Sequence, residues 1–582
     1  MLRVGLLSAL LLFGSIEAYA LSSQEVEAIQ LQIAKEREKA IRDIQPAAPT
    51  VNLQETNITV PKKLTIIDNE TPCFNIKNVE LVGEDANMFK SSLSSALKSI
   101  GFRSRQCIGA NSINAILGAT GNEIIRNGYV TTRVVANPQD LKSGKLELTA
   151  IPGRINDIRF EQTPTVDTNV ERANSFNAMP IKKGDILNLR DIEQGLENFK
   201  RVPTVNADMQ IVPSQEKGYS DIVIKWSQKD IPIRLNLSLD DAGSSSTGKY
   251  QSGITLAVDN PLRLNDIFYF SYGGDVAGYD KVSVLTPSGA IDSMTGNSDN
   301  WSMNYSVPYG YWLLSFNENR YDYHSAVAGA NQIYDYNGHS KNRDISLSYL
   351  FRRNSTGKSS IYLKGWERFS NNFIEDGEVT GQRRKTAGYE IGLSHREQAG
   401  NTVWNFGSSF RKGTGARGSL PAPEEQFSEG TSRMEIITAD VSVFTPIYSL
   451  PFTYEGSIHA QYNATPLVPQ DRLSIGGRYT VRGFDGDYTL LADRGAIWRN
   501  TLSYSYLANH QIYGAIDGGY VDGQSAKLLV GRTLIGAAIG ARGQFSVGGN
   551  LSYDIFAGIP IYKPDNFETK DITLGFSLNY AI

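Results

Sequence analysis

Cysteine, histidine and long apolar runs are all scarce in this chain. Of its 582 residues only two are cysteine, Cys73 and Cys107, and only five are histidine. So few cysteines exclude a disulfide-dense scaffold or a thiolate zinc cluster. His324, His339, His395, His459 and His510 are scattered, none at metal-ligand spacing, so no metal site is assigned. After the N-terminus no segment reaches the ~18 consecutive apolar residues of a transmembrane helix. A formal net charge of -4 gives no electrostatic ground for nucleic-acid binding. The motifs H-E-x-x-H and G-x-S-x-G are missing. "GSSSTGKY" (Gly243–Tyr250) approaches a phosphate loop. It has Tyr250 where Ser or Thr should hold Mg²⁺, and no helix follows, so it reads as a polar external loop. No catalytic residue and no cofactor is assigned, and the chain reads as a non-enzyme.

What is present is tyrosine and glycine. There are 54 Gly and 29 Tyr against 23 Phe, in a chain only 40% hydrophobic. Aromatic-rich, glycine-rich, weakly hydropathic chains suit an outer-membrane β-barrel, whose strands are apolar on one face and carry aromatic girdles. The first twenty residues, "MLRVGLLSALLLFGSIEAYA", read as a secretory signal. They combine a charged start at Arg3, an apolar run Val4–Phe13 and a small-x-small site at Ala18–Ala20. A mature start near Leu21 is expected. In such an exported chain, an even and low cysteine count predicts one bridge, Cys73–Cys107. Closing a loop of about 35 residues contributes roughly 3–4 kcal/mol on the chain-entropy account.

Residues 22–43 predict a helix, with Ser22 and Glu25 as a capping box. Its apolar positions are too few for a buried helix, so it needs solvent or a wet lumen. Residues 45–63, with their prolines, read as an extended linker. Two tandem α/β modules follow, each predicted as strand-helix-helix-strand-strand. In the first, Phe74–Val82 reads as a strand, and "YVTTRVVA" and "KLELTAIP" as the closing pair. In the second, Asn188 caps a helix whose Ile192, Leu196 and Phe199 share one face.

From Ile231 the period becomes two. "IPIRLNLSLD" sets Ile231, Ile233, Leu235, Leu237 and Leu239 against Arg234, Asn236, Ser238 and Asp240. "YEGSIHAQYN" and the final "DITLGFSLNYAI" alternate in the same way. Ten tilted residues span a band of about 25 Å, and this part of the chain divides into about 16 antiparallel strands, with about 14 to 18 as the range. The apolar face belongs in lipid, so the first and last strands must close the barrel.

The motifs resemble a known family. "CFNIKNVELVG" with Cys107 and "GYVTTRVVANPQDLKSGKLEL" (Tyr129, Val130, Thr131, Thr132, Arg133) look like a first polypeptide-transport-associated (POTRA) domain. "LNLRDIEQGLENFKRVPTVNADMQIVPSQEKGYSDIVI" looks like the second, and "VDNPLRLND" like a periplasmic turn. "LSIGGRYTVRGFDGD" resembles an inward-folded loop carrying Val481, Arg482, Gly483 and Phe484. "AIDGGYVDG" resembles its barrel-wall partner strand, with Asp517 and Gly519. Ala515 replaces the motif's aromatic there, which should weaken packing. The chain is similar to outer-membrane transporters of two-partner secretion. These are the TpsB family, of the haemolysin-activator, filamentous-haemagglutinin and contact-dependent-inhibition transporter types, in the superfamily of the barrel-assembly protein BamA.

The resemblance implies this layout: signal peptide 1–20, plug helix 21–44, linker 45–63, POTRA modules 64–153 and 154–229, and barrel 230–582 with an inward loop at about 470–492. It implies an outer-membrane protein with periplasmic POTRA domains that bind the N-terminal secretion domain of an unfolded exoprotein. That exoprotein, a haemolysin, adhesin or growth-inhibition toxin, would be secreted without ATP. Further implied partners are outer-membrane lipid and the barrel-assembly machinery, with the transporter itself a monomer. The runner-up is a barrel-assembly or insertase-type factor of the same superfamily. Arg482 is expected to meet Asp517, with Asp485 and Asp487 as the local alternatives.

Overall fold

The computed structural model describes residues 50–582, apart from 54–63, 68–69, 162–169, 277–280, 286–290, 329–332 and 448–449. The signal segment, the predicted helix 22–43 and most of the linker lie outside the described residues.

In the first module, Asn78–Val82 pairs parallel with Lys145–Ile151, which pairs antiparallel with Arg133–Val135. Alternation puts Leu146, Leu148 and Ala150 on one face, all buried. Helices α1 (Lys90–Ser99) and α2 (Ala110–Arg126) cover that face with Leu93, Ala96, Ile116 and Ile124. Phe74–Val82 is not one strand: Phe74–Ile76 instead pairs with Gln106–Ile108. The break falls at Lys77, whose N–H donates to the Gly144 carbonyl (2.6 Å). Beside this pair, Cys73 and Cys107 form a disulfide, Cα–Cα 5.4 Å, closing a separation of 34 residues.

The second module repeats the sheet. Arg154–Phe160 runs parallel to Tyr219–Gln228, which pairs antiparallel with Val205–Pro213. Among its described residues there is one α-helix, α3 (Leu189–Lys200), where two were expected. Among the described residues before it stands the 3-10 turn Val170–Arg172. The Asn188 carboxamide oxygen accepts from the Arg190 N–H (2.9 Å), capping α3. Ile192, Leu196 and Phe199 enter the module's core as predicted. The opposite stripe, Glu193, Gln194, Glu197 and Asn198, is buried too. The barrel covers it.

The barrel has 16 antiparallel strands, with a two-residue strand, Gly377–Glu378, extending one hairpin. The first strand, Ile233–Asp240, pairs with the last, Thr573–Ala581, from Asn236↔Ala581 to Asp240↔Ser577. Closure removes the sheet edge that lipid could not satisfy. Ile233, Leu237, Leu239, Ile572 and Leu574 face outward. Ser271, Ser302 and Arg368 face inward and are buried in the lumen. Strand length varies around the wall, from eight residues at Ile233–Asp240 and nine at Gln251–Asp259 to 21 at Ile333–Arg353.

The barrel turns nearest the modules meet α3. Arg201 Nη1 donates to the Asn265 carbonyl (2.8 Å), and Asn198 Nδ2 to the Gly310 carbonyl (2.8 Å). Asp259 accepts from the Thr204 N–H (3.1 Å) and pairs with Arg234 (3.0 Å). "VDNPLRLND" is therefore a turn, and it forms part of this seat.

Candidate functional site

Between the strands Phe452–Asn463 and Arg494–Leu507 the chain folds back into the lumen. Leu473–Ile475 and Leu490–Ala492 form a short hairpin, and residues 476–489 are its tip. The Thr480 hydroxyl accepts from the Gly476 and Gly477 N–H groups (both 3.1 Å), tightening the first turn. Val481 and Phe484 are fully buried, and the Phe484 ring meets Phe567 edge-on, centroids 5.7 Å apart. A side chain at Gly483 would meet two obstacles. Its φ of +106° disfavours L-residues, and a Cβ there would lie 2.3 Å from the Ile559 carbonyl oxygen.

Arg482 extends from this tip to the wall. Its Nε and Nη2 donate to the two carboxylate oxygens of Asp517 (2.6 and 2.8 Å), a bidentate pair. The Arg482 N–H adds a third bond to Asp517 (3.1 Å). Nη2 also donates to the Asn500 carbonyl (3.1 Å) and to Thr501 Oγ1 (2.9 Å). Asp517 has no exposure at all, and Arg482 has 7%. It takes a further N–H from Asn500 (3.2 Å), and Arg499 Nε stands 3.7 Å away. Removing one member of such a pair typically costs about 3–5 kcal/mol, because the other charge stays buried.

Two positions on from Asp517, Gly519 admits the loop: a Cβ there would stand 2.8 Å from Ile475 and 3.0 Å from Val481. Ala515, expected to leave weak packing, is 6% exposed and packs with Tyr513, Ala538 and Phe556. The Tyr513 ring, on the same inward face, fills the space. Asp485 and Asp487 do not serve Arg482. Asp485 accepts from the Lys570 N–H (3.2 Å) and Asp487 from the Ser245 N–H (3.0 Å). The loop Gly243–Tyr250 is thus part of the closure over the tip, with Ser244 and Thr247 buried.

Several anchors were not singled out from sequence. Arg478 pairs with Asp241 (2.6 Å) beside the barrel closure, and Asp241 also accepts from the Phe576 N–H (2.8 Å). On the opposite wall, Asp471 pairs with Arg368 (2.9 Å), with Arg411 at 3.9 Å. The loop is therefore a strut across the lumen. A cavity of ≈ 1000 Å³ remains beside it, lined by Ser238, Gln251, Asn300, Asn405, His459 and Arg482 among others. Charged residues at inward positions of alternating strands were the available signal, but alternation does not say which charges meet.

The stretch Tyr129–Arg133 lies at the joint of the two modules. Only Arg133 begins a strand; Tyr129–Thr132 is a turn, although its β-branched residues predicted strand. Tertiary contacts override that propensity. Tyr129 packs edge-on against Phe89 (5.0 Å) in the first core, while Val130 packs against the second. Thr132 Oγ1 accepts from the Gly153 N–H (3.4 Å) and the Gly128 carbonyl from the Leu189 N–H (2.7 Å).

A closed barrel, apolar outside and polar within, crossed by an anchored loop and preceded by two small α/β modules, defines a membrane-spanning polypeptide transporter. Comparisons with known proteins place it further. The family described as "Haemolysin secretion/activation protein ShlB/FhaC/HecB" matches residues 218–543. "POTRA domain, ShlB-type" matches residues 74–153, and "POTRA domain" residues 154–213. The outer membrane transporter CdiB-2 of Burkholderia pseudomallei is 33% identical over 562 residues, 94% of this chain and 92% of the relative. The hemolysin transporter protein HpmB of Proteus mirabilis is 25% identical, over 79% of this chain and 77% of its own. The solved structure of CdiB from Acinetobacter baumannii superposes with a TM-score of 0.80 at 28% identity, covering 96% of this chain and 99% of that one. The chain belongs to the ShlB/FhaC/HecB haemolysin secretion/activation family and is an outer-membrane transporter with periplasmic POTRA domains.

Proposed function

We propose that the two POTRA domains receive the N-terminal secretion domain of a large partner exoprotein and that the barrel passes the rest in extended form. The exoprotein is a haemolysin, an adhesin or a contact-dependent growth-inhibition toxin. Passage needs no nucleotide, because folding outside the cell makes it directional. In this reading residues 22–43 plug the lumen at rest, and the linker lets that helix leave. The transporter works as a monomer, inserted by the barrel-assembly machinery, and carries no catalytic chemistry. A single chain closes its own lumen, which supports the monomer.

The observation that carries the reading is the strut. A loop held across the lumen by a buried Arg482–Asp517 pair is a costly feature for a passive pore, and a natural one for a channel that must be rearranged by its cargo. Val481, Gly483, Phe484 and Gly519 shape the contact that this pair locks. Arg482→Ala and Asp517→Ala are each expected to cut secretion of the exoprotein into the medium while leaving a heat-modifiable, inserted barrel. Normal secretion by both variants refutes the role.

A further inference from the structure

The buried polar stripe of α3 has a third neighbour besides the barrel and its own module. Residues Val51–Leu53 of the linker lie against it. The Val51 N–H donates to Glu197 Oε1 (2.6 Å) and the Leu53 N–H to Glu193 Oε1 (3.0 Å). The Val51 carbonyl accepts from Arg353 Nη2 (2.5 Å). Val51 and Leu53 turn their side chains into the core of the second POTRA domain. Asn52 points the other way, its Nδ2 donating to the Ser355 carbonyl (2.6 Å). This is the alternation of an extended chain, with one backbone edge read by side chains rather than by another strand.

The match is geometric. Four residues of α-helix rise about 6 Å, and two residues of extended chain about 6.6 Å. Carboxylates at Glu193 and Glu197 therefore fall in register with N–H groups two residues apart. Three cations neutralise them: Arg190 at 2.7 Å from Glu193, Arg353 at 3.2 Å from Glu193 and 2.8 Å from Glu197, and Lys358 at 2.5 Å from Glu197. Because the polar contacts go to the backbone, the seat selects little by sequence. It asks for apolar side chains at two alternate positions and excludes proline at both, where an N–H is needed.

We infer that this groove, between α3 and the periplasmic turn at residues 353–358, is a binding site for extended polypeptide. The linker is its resting occupant, and the exported chain displaces it. The second half rests on the transport reading above; the first does not. The seat lies where the second POTRA domain meets the barrel rim, on the path from one to the other. An unfolded chain supplies what it reads.

The test uses the full chain in detergent and a fluorescent peptide of residues 47–56. Val51→Asp sets a carboxylate into the apolar core of the second POTRA domain, where Val51 packs, and vacates the seat. Peptide affinity should rise at least tenfold over the unsubstituted chain. The same peptide N-methylated at the positions of Val51 and Leu53 lacks both N–H donors and should bind at least tenfold more weakly, with the protein unchanged. Equal affinity for the two chains, or no effect of N-methylation, overturns the site. For displacement, Asn52→Cys with Ser355→Cys tethers the linker in a chain lacking residues 22–43. The tethered chain should secrete only after reduction, with each single cysteine variant as the control for the reductant. Secretion while tethered overturns displacement. A chain that secretes in neither state counts against the transport reading, and the peptide measurements still decide the site.

Discussion

Asp517→Ala isolates the energy stored at the strut. It leaves Arg482 charged, 7% exposed, and bonded only to the neutral acceptors of Asn500 and Thr501. The expected cost is about 3–5 kcal/mol. The barrel wall need not unfold to relieve it; the tip can lift instead. At about 1.4 kcal/mol per tenfold, the open population of the tip then rises by about two to three and a half orders of magnitude. Hydrogen exchange reads this directly, because the Arg482 N–H itself donates to Asp517. Peptides covering residues 476–489 should exchange faster by about that factor, while peptides from the wall strand His510–Asp522 stay within a few-fold. Arg482→Ala should do less, since Asp517 keeps the Asn500 N–H and Arg499 at 3.7 Å. The double variant should also fall below Asp517→Ala, because no orphaned charge remains. Unchanged exchange at 476–489 in Asp517→Ala, or a larger effect in the double variant, refutes the reasoning.

Three further outcomes are expected. Deleting residues 22–43 should raise single-channel conductance in planar bilayers; unchanged conductance removes the plug. Replacing Cys73 and Cys107 together by Ser should destabilise the first POTRA domain by roughly 3–4 kcal/mol. Limited proteolysis of folded membranes should then cleave within residues 74–151 first, and undiminished resistance would contradict this. For Glu197, burial raises the carboxyl's pKa, but the hydrogen bond and charge of Arg353, with Lys358, outweigh it and hold it below its ordinary 4.5. A depressed carboxylate stabilises the docked linker above that ordinary value and ceases to as pH falls through the lowered one. Crosslinking between positions 52 and 355 should hold from pH 7 down to the ordinary carboxylate range and fail only below it. Loss of crosslinking above that range would show that another group controls docking.

Legibility differed between parts of the molecule for physical reasons. The barrel was readable because lipid outside and water inside impose strict alternation, and Ile233, Leu237 and Leu239 obey it in one strand. Helix α3 was readable on its apolar face only. Glu193 and Glu197 look like solvated charges in sequence, because their partner Arg353 lies about 160 residues away. Tyr129–Thr132 misled through propensity, since contacts with Phe89 and Gly153 bend it into a turn. Local spacing offered Asp485 and Asp487 to Arg482 as readily as Asp517. Only the family resemblance favoured the distant residue, and the fold supplies the reason. The tip presents Arg482 to the wall while the two nearer carboxylates face the closing loops.

The unequal strands give the pore an uneven parapet. At about 3.3 Å per residue and a tilt near 45°, the 21 residues of Ile333–Arg353 climb about 50 Å, whereas the nine of Gln251–Asp259 climb about 21 Å, just short of the apolar band of about 25 Å. The low side adjoins the closure between first and last strands, and the high side stands across from it. A chain emerging from the lumen thus meets a tall wall of β-structure on one flank and, on the low flank, the loop Gly243–Tyr250 that lies over the tip. Its exit has a direction along the cell surface as well as away from it.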